Sequence, residues 1–282
     1  MNALEIRGLC KTFKEFKLEG IDLTLPCGCI MGLIGENGAG KSTTIKLILD
    51  VIKKDGGTVK IFEKKCASEK EMKLVKEEIG VVMDEAGIPE CLNAEQVGKI
   101  MCRTYKNWDT SVYNDCLKKL DLPTNVSFGK FSRGMKMKLS IAIALSHRAR
   151  LLILDEPTSG LDPVVRDEVV EILYDFTRDE NNSVLISSHI VSDLERLCDY
   201  IVFLHKGKLL ICEEKDRLLE QYGIVYCTNE ELEKIDADAL RYKKSTPYGA
   251  KAIVLRDKVP SGMKLEPISI EELFVFMVKE EG

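Results

Sequence analysis

Residues 35–43 read GENGAGKST, with Gly35, Gly40, Lys41 and Ser42 in the G-x-x-x-x-G-K-[ST] spacing of a phosphate-binding loop. Two further patches follow, LLILDEP at 151–157 and SSH at 187–189. Gly-rich backbone such as Gly38 and Gly40, flanked by Asn37 and Thr43, can turn several N–H groups toward one anion. Lys41 would neutralise β- and γ-phosphates, and the Ser42 hydroxyl would complete a Mg²⁺ shell. That chemistry implies a nucleoside triphosphate site. Asp155 ends the apolar run of the second patch and would hold Mg²⁺, commonly through water. Glu156 follows as candidate general base or water-orienting group for attack on the γ-phosphate.

The surrounding elements suit that task. The apolar run Cys29–Ile34 predicts a buried parallel strand before the loop, and Ile45, Ile48, Leu49 and Ile52 predict a helix over 41–52 after it. A strand, a glycine loop and a helix in that order aim the positive helix end at the bound anion. Short strands are predicted at 3–9, 21–25, 58–62 and 79–83, with a charged helical stretch near 68–78. Residues 91–147 are mostly helical, with helices started by the Asp109–Ser111 cluster and by Ser132. Strands and helices then alternate: 151–154, 163–178, 184–187, 190–198 and 200–204. This is the pattern of βαβ units on a parallel sheet, hence an α/β fold. Asp162 caps helix 163–178, and Pro163 sits in its first turn. Lys206-Gly207-Lys208 predicts a hairpin. Residues 214–282 form a mixed tail whose last helix starts with a Ser269/Glu272 capping box and an Ile268/Leu273 staple.

Composition narrows the class. The chain has 282 residues, 45% hydrophobic and 31% charged, which suits a soluble protein with a sizeable core. A formal net charge of −5 gives no support to nucleic-acid binding, and none is expected. No apolar run approaches the ~20 residues needed to cross a bilayer, and the N-terminus lacks a signal-peptide core. A cytoplasmic chain is expected. The 10 cysteines are scattered, and Cys27 and Cys29 have no histidine nearby, so free thiols are expected rather than disulfides or zinc.

In order and spacing the motifs resemble the nucleotide-binding subunits of ABC transporters, over residues 3–213 or so. The matching segments are the phosphate loop, a signature segment FSRGM at 131–135, LLILDEP, the D-loop SGLD at 159–162 and the switch His189. The resemblance implies a phosphate-loop ATPase core with a mostly parallel sheet, an antiparallel β subdomain and an inserted helical subdomain at about 85–147. A small C-terminal α+β extension at 214–282 would follow as an accessory domain. It implies ATP and Mg²⁺ as ligands, and two subunits facing head to tail, each ATP lying between one phosphate loop and the partner's signature. Ser132 and Gly134 would then face the partner's γ-phosphate, Asp162 would meet the partner, and His189 would bond the γ-phosphate. Phe13 matches the aromatic that stacks on adenine; Phe16 is close, and either ring could belong to the core.

Three positions depart from the family pattern. Arg133 and Met135 replace a Gly and a Gln of the usual signature. Asp84, in IGVVMDE at 79–85, replaces the Q-loop glutamine; a carboxylate can accept Mg²⁺ or its water but cannot donate as an amide does. IGVVMDE, FSRGMKMKLSIAIAL and LLILDEPTSGLDP together resemble bacterial exporters whose ATPase is a separate chain. The implied function is an ATP-hydrolysing motor for a separate six-helix permease of the drug or antimicrobial-peptide type, held peripherally at the inner face of the membrane. Intact half-sites favour a homodimer over a heterodimer. The alternative is a soluble ABC ATPase acting on ribosomes or DNA. Against it stand the single phosphate loop and the lack of sustained heptads between that loop and the signature.

Overall fold

A parallel strand covered on both faces must be apolar along its whole length, and the strands that carry the predicted site meet that demand. The structure is a computed structural model that describes residues 1–66, 69–84, 87–246, 249–260 and 262–280. The chain divides into two compact units, Met1–Ile211 and Cys212–Gly282.

The first unit opens with β1 (Asn2–Thr12), β2 (Lys17–Pro26), β3 (Ile30–Ile34), α1 (Lys41–Ile48), β4 (Gly56–Ile61), β5 (Lys64–Lys65), α2 (Glu69–Lys76) and β6 (Ile79–Val82). Three helices follow, α3 (Ala94–Thr104), α4 (Thr110–Lys119) and α5 (Arg133–Ser146). The unit closes with β7 (Leu151–Asp155), α6 (Pro163–Thr177), β8 (Ser183–Ser188), α7 (Val191–Leu197), β9 (Tyr200–His205) and β10 (Lys208–Glu214), whose last residues reach the second unit. A four-stranded sheet has the order β2-β1-β4-β5 with antiparallel pairing, and a six-stranded sheet has the order β10-β9-β3-β8-β7-β6. In the larger sheet β9, β3, β8, β7 and β6 run parallel. Every residue of β3, β7 and β8 is buried.

The inserted helices own a separate core. Tyr113 and Leu117 of α4 pack with Val97 of α3, Leu139 of α5 and the Phe128/Phe131 pair. The Tyr113 hydroxyl donates to the Ala94 carbonyl at 2.8 Å, satisfying a group that burial would otherwise penalise. Asn93 and Gln96 form a reciprocal capping box that starts α3, which the sequence reading passed over.

Helix α1 stops at Ile48, four residues short of the expected end. Asp50 takes φ 54°, its N–H bonds to Leu47 O at 3.2 Å, and Val51 N bonds to Lys46 O at 2.9 Å. This is a Schellman stop with aspartate where glycine is usual, which is why no glycine announces it. The hairpin at 206–207 does obey glycine logic. Gly207 has φ 81°, and a Cβ there would collide with the Lys17 carbonyl.

The second unit contains α8 (Lys215–Gln221), β11 (Tyr222–Cys227), α9 (Asn229–Leu232), β12 (Leu240–Thr246), β13 (Gly249–Leu255), β14 (Leu265–Glu266) and α10 (Ile270–Glu280). Its antiparallel sheet has the order β12-β13-β11-β14. Val225, Ile235, Ala252 and Val254 form its core. The expected capping box is present: Glu272 N donates to Ser269 Oγ at 3.1 Å, and Ser269 N donates back to Glu272 at 3.2 Å. Ile270, Leu273 and Phe276 bury one stripe of α10, and Phe276 packs on Tyr242 of β12.

Candidate functional site

Parallel register brings the chemistry together. Ile34 of β3 pairs with Ser188 of β8, Asp155 of β7 pairs with Ser187, and Val82 of β6 pairs with Leu154. The segments leaving those strand ends are the phosphate loop, Glu156, His189 and Asp84, and they emerge at one edge. Ligands of open α/β sheets bind at this carboxyl edge.

A cavity of about 660 Å³ opens there, and Asn37, Gly38, Gly40, Lys41, Ser42 and Thr43 form its floor. Gly40 is the N-cap of α1 with φ 111° and offers no side chain to the first-turn N–H groups, which stay available to an anion. A Cβ at Gly40 would lie 2.9 Å from the Phe16 ring, so only glycine fits. Lys41 is buried, and its ammonium donates to the carbonyls of Gly35 at 2.7 Å and Glu36 at 3.3 Å. A cation held this way is strongly attractive to phosphate, because its position is fixed before any ligand arrives.

Asp155 is 4% exposed, and Ser187 Oγ donates to it at 2.6 Å. The Glu156 N–H donates to the same Ser187 hydroxyl at 3.1 Å. Glu156 has φ 53°, a conformation side chains rarely adopt, and such strain clusters at functional turns. Its carboxylate lies between Lys41 Nζ at 3.2 Å and His189 Nδ1 at 2.6 Å. The His189 N–H also donates to it, at 3.3 Å. The site satisfies its own charges: Glu156 occupies the Lys41 cation that a phosphate would need.

Phe13 and Phe16 both line the cavity, with ring centres 6.3 Å apart, and Phe13 is 43% exposed. Asp84 lines it too, with its carboxylate paired to Arg133 at 2.6 Å. Ser132, Gly134 and Asp162 do not line it. Ser132 caps α5 by accepting from Met135 N at 3.2 Å, and Asp162 caps α6 by accepting from Val164 N at 3.0 Å and Val165 N at 3.1 Å. A Cβ on Gly134 would lie 3.1 Å from Val165. The sequence reading did not name Glu36 and Ser159, which also line the cavity, or assign a role to Ser187. Ser159 stood within SGLD and Ser187 within SSH, but the facing of Ser187 and Asp155 is a matter of strand pairing and left no local signal.

The donor set suits a hard divalent cation. Among the described residues no group of three or more His, Cys, Asp and Glu could form a metal cage. One buried carboxylate and one hydroxyl beside a triphosphate are the ligands Mg²⁺ takes, since it keeps water and phosphate in its shell. Among the described residues no helix is long and apolar enough to cross a membrane, and none of the 10 cysteines is joined in a disulfide.

Fold and site define a phosphate-loop nucleotide-binding α/β protein. Its residues 18–159 match the family model described as ABC transporter. The chain is 36% identical to the lantibiotic transport ATP-binding protein SrtF of Streptococcus pyogenes over 76% of this chain and 91% of that one. It is 29% identical to the ABC transporter ATP-binding protein YtrB of Bacillus subtilis (strain 168), over 96% and 97%. A solved ATP-binding subunit of an ABC transporter, 27% identical, matches with a TM-score of 0.70 over 78% of this chain and 92% of that one. The chain belongs to the ABC transporter family and is an ATP hydrolase of that family.

Proposed function

We propose that this chain is the ATP-driven motor of a two-subunit assembly that powers a separate membrane permease, an exporter of drug or antimicrobial-peptide type. The observation that carries the reading is the meeting of Lys41, Asp155, Glu156 and His189 at one sheet edge beside an uncapped helix N-terminus. ATP enters with its phosphates on the 35–43 backbone and its base against Phe13 or Phe16. The γ-phosphate takes Lys41, which frees Glu156 to orient a water toward phosphorus. The P–O bond to ADP breaks as the new P–O bond forms, and the water's proton passes to Glu156 or to the released phosphate. Asp155 and Ser42, with Asp84 close by, would hold Mg²⁺, which when bound offsets phosphate charge. His189 steadies Glu156 before ATP arrives and bonds the γ-phosphate after.

The half-site on the far side of the γ-phosphate comes from a second copy. Ser132 and Asp162 are exposed at the N-termini of α5 and α6, and Val164 beside them is 69% exposed. An exposed apolar side chain beside these two capped helix starts is suited to a partner. A homodimer accounts for both half-sites with one sequence. The permease contact is assigned to a groove of about 500 Å³ that includes Leu49, Val51, Val81, Met83 and Tyr105. Val51 is 66% exposed there, and Met83 adjoins Asp84 in the chain, so the groove sits one residue from the nucleotide site. The name of SrtF, a lantibiotic transport protein, supports a peptide-antimicrobial cargo class.

Residues 1–213 form the ATPase domain, with the helical insertion at about 85–147, although residues 85 and 86 lie outside the described ones. Residues 214–282 act as an accessory domain. The motor lies in the cytoplasm at the inner face of the membrane, held through the permease. The test is copurification of tagged Glu156→Gln protein from detergent-solubilised membranes with ATP present. A multi-helix permease is the expected partner; ribosomal or DNA-processing proteins without a membrane protein would overturn the transport reading.

A further inference from the structure

Two of the positions at which this chain departs from its family's motifs touch each other. Arg133 stands where the signature usually has glycine, Asp84 stands where the Q-loop usually has glutamine, and Arg133 Nη2 lies 2.6 Å from Asp84 Oδ1. Neither residue is explained by its own helix or strand. Arg133 is the first residue of α5, and a cation there opposes the positive helix end. Asp84 follows β6 and faces a cavity built for a polyanion. Each is unfavourable alone. Paired, the carboxylate offsets the guanidinium at the helix start, and the guanidinium offsets the carboxylate at the cavity.

The charge around the cavity gives the pair a task. Among the described residues lining it, the carboxylates are Glu36, Asp84 and Glu156, and the only Lys or Arg is Lys41. Glu156 is already held by Lys41 and His189. Arg133 does not line the cavity, yet it is the cation that answers Asp84. On its other side the guanidinium passes over Gly160 of the 159–162 turn, where a Cβ would lie 2.9 Å from Arg133 Nη1. Gly160 itself has φ 66°, a backbone conformation that favours glycine.

We propose that Arg133 is a positioning residue for the nucleotide site of its own subunit: it holds and neutralises Asp84, so that a carboxylate can stand at the Q-loop position without repelling ATP. The proposal rests on the ATP-binding reading above and specifies how one residue acts in it. A substitution that removes Arg133 leaves an unanswered negative charge beside the triphosphate. Removing both charges restores the balance. Arg133→Lys, which keeps the charge and loses only the fork, should behave nearly as the original.

The experiment measures the dissociation constant of ATP in EDTA, under dilute conditions that keep the chain monomeric as checked by light scattering. Without metal, Asp84 has no magnesium role, and without a dimer Arg133 cannot reach a partner's nucleotide. Arg133→Gln should weaken ATP about 3- to 10-fold at low salt, an effect shrinking at high salt because it is a through-space charge term. Asp84→Asn/Arg133→Gln should return to within about 2-fold of the original, and Arg133→Lys should do the same. The pair is half exposed, with side chains 51% and 55% accessible, so Tm should move by less than about 3 °C. If Arg133→Gln binds ATP like the original, or if the double variant is as weak as Arg133→Gln alone, the proposal falls. If the original chain binds no ATP at all, the functional reading falls instead.

Discussion

Glu156→Gln should make the ligand-free protein less stable and, by the same amount, make it bind ATP more tightly. Glu156 and Lys41 are 3.2 Å apart, with side chains 15% and 6% exposed. At an effective dielectric of about 20 the bare attraction is about 5 kcal/mol. Desolvation of both groups consumes much of it. Lys41 keeps its bonds to Gly35 O and Glu36 O, and a glutamine amide oxygen can still accept from it. The ionic part lost is therefore about 1–2 kcal/mol, at the charged end of hydrogen-bond values. In the ligand-free state that loss lowers Tm by roughly 2–8 °C. In the ATP-bound state Lys41 faces phosphate in both variants, so the same 1–2 kcal/mol returns as about 5- to 30-fold tighter binding. Turnover falls about 10²–10⁴-fold because no carboxylate remains to orient water or take its proton. Thermal melts with and without ATP, a fluorescent-nucleotide titration and phosphate release read all three. Wild-type turnover in the variant would refute the role of Glu156. Unchanged stability together with unchanged ATP affinity would refute the ion-pair competition, even if turnover fell.

Other outcomes follow from single contacts. Ser187→Ala removes the donor to buried Asp155 and one of the two acceptors for Glu156 N–H, the Ser187 carbonyl remaining, and should cost about 1–3 kcal/mol in urea unfolding while raising the Mg²⁺ concentration needed for half-maximal hydrolysis. Asp162→Ala loses both cap bonds of α6 and about 1 kcal/mol, whereas Asp162→Asn keeps them; equal stability of the two would contradict the cap. Burial raises the Tyr113 phenol, so in a spectrophotometric alkaline titration it should ionise only after the exposed tyrosines, and its absence in Tyr113→Phe should remove the last step. For Glu272, partial burial pushes the carboxyl up, but the Lys251 and Ser269 bonds outweigh it and leave the group below its ordinary value of 4.5. A depressed carboxyl stabilises the fold above its unfolded pKa and loses that contribution as pH falls through the folded value. Acid melts below about pH 4.5 should therefore decline less steeply in Glu272→Gln, by under about 1 kcal/mol because the pair is partly exposed.

The chemistry was legible along the chain because each part is local. A phosphate loop needs its glycines, lysine and serine contiguous, so Gly35 to Thr43 can be read without knowing what they pack against. Strands buried on both faces must be apolar throughout, which exposed the runs ending at Ile34 and Asp155. Caps are equally local, and Asp109, Ser132, Asp162 and the Ser269/Glu272 box all stand where their residue types predict. The end of α1 was not readable, since an aspartate rather than a glycine takes the left-handed turn at residue 50.

What remained hidden depends on register between segments far apart in sequence. Nothing near Ser187 announces that it faces Asp155, because the two meet only through the pairing of β7 with β8. The Arg133–Asp84 contact spans 49 residues and reads as two separate departures until the fold joins them. The closure of Glu156 onto Lys41 and His189 is likewise tertiary: three strand ends must converge before the charges meet. Residue types and short spacing determined which groups could do phosphate chemistry. Only the parallel sheet decided which of them touch, because its register converts positions scattered from 34 to 189 into one edge.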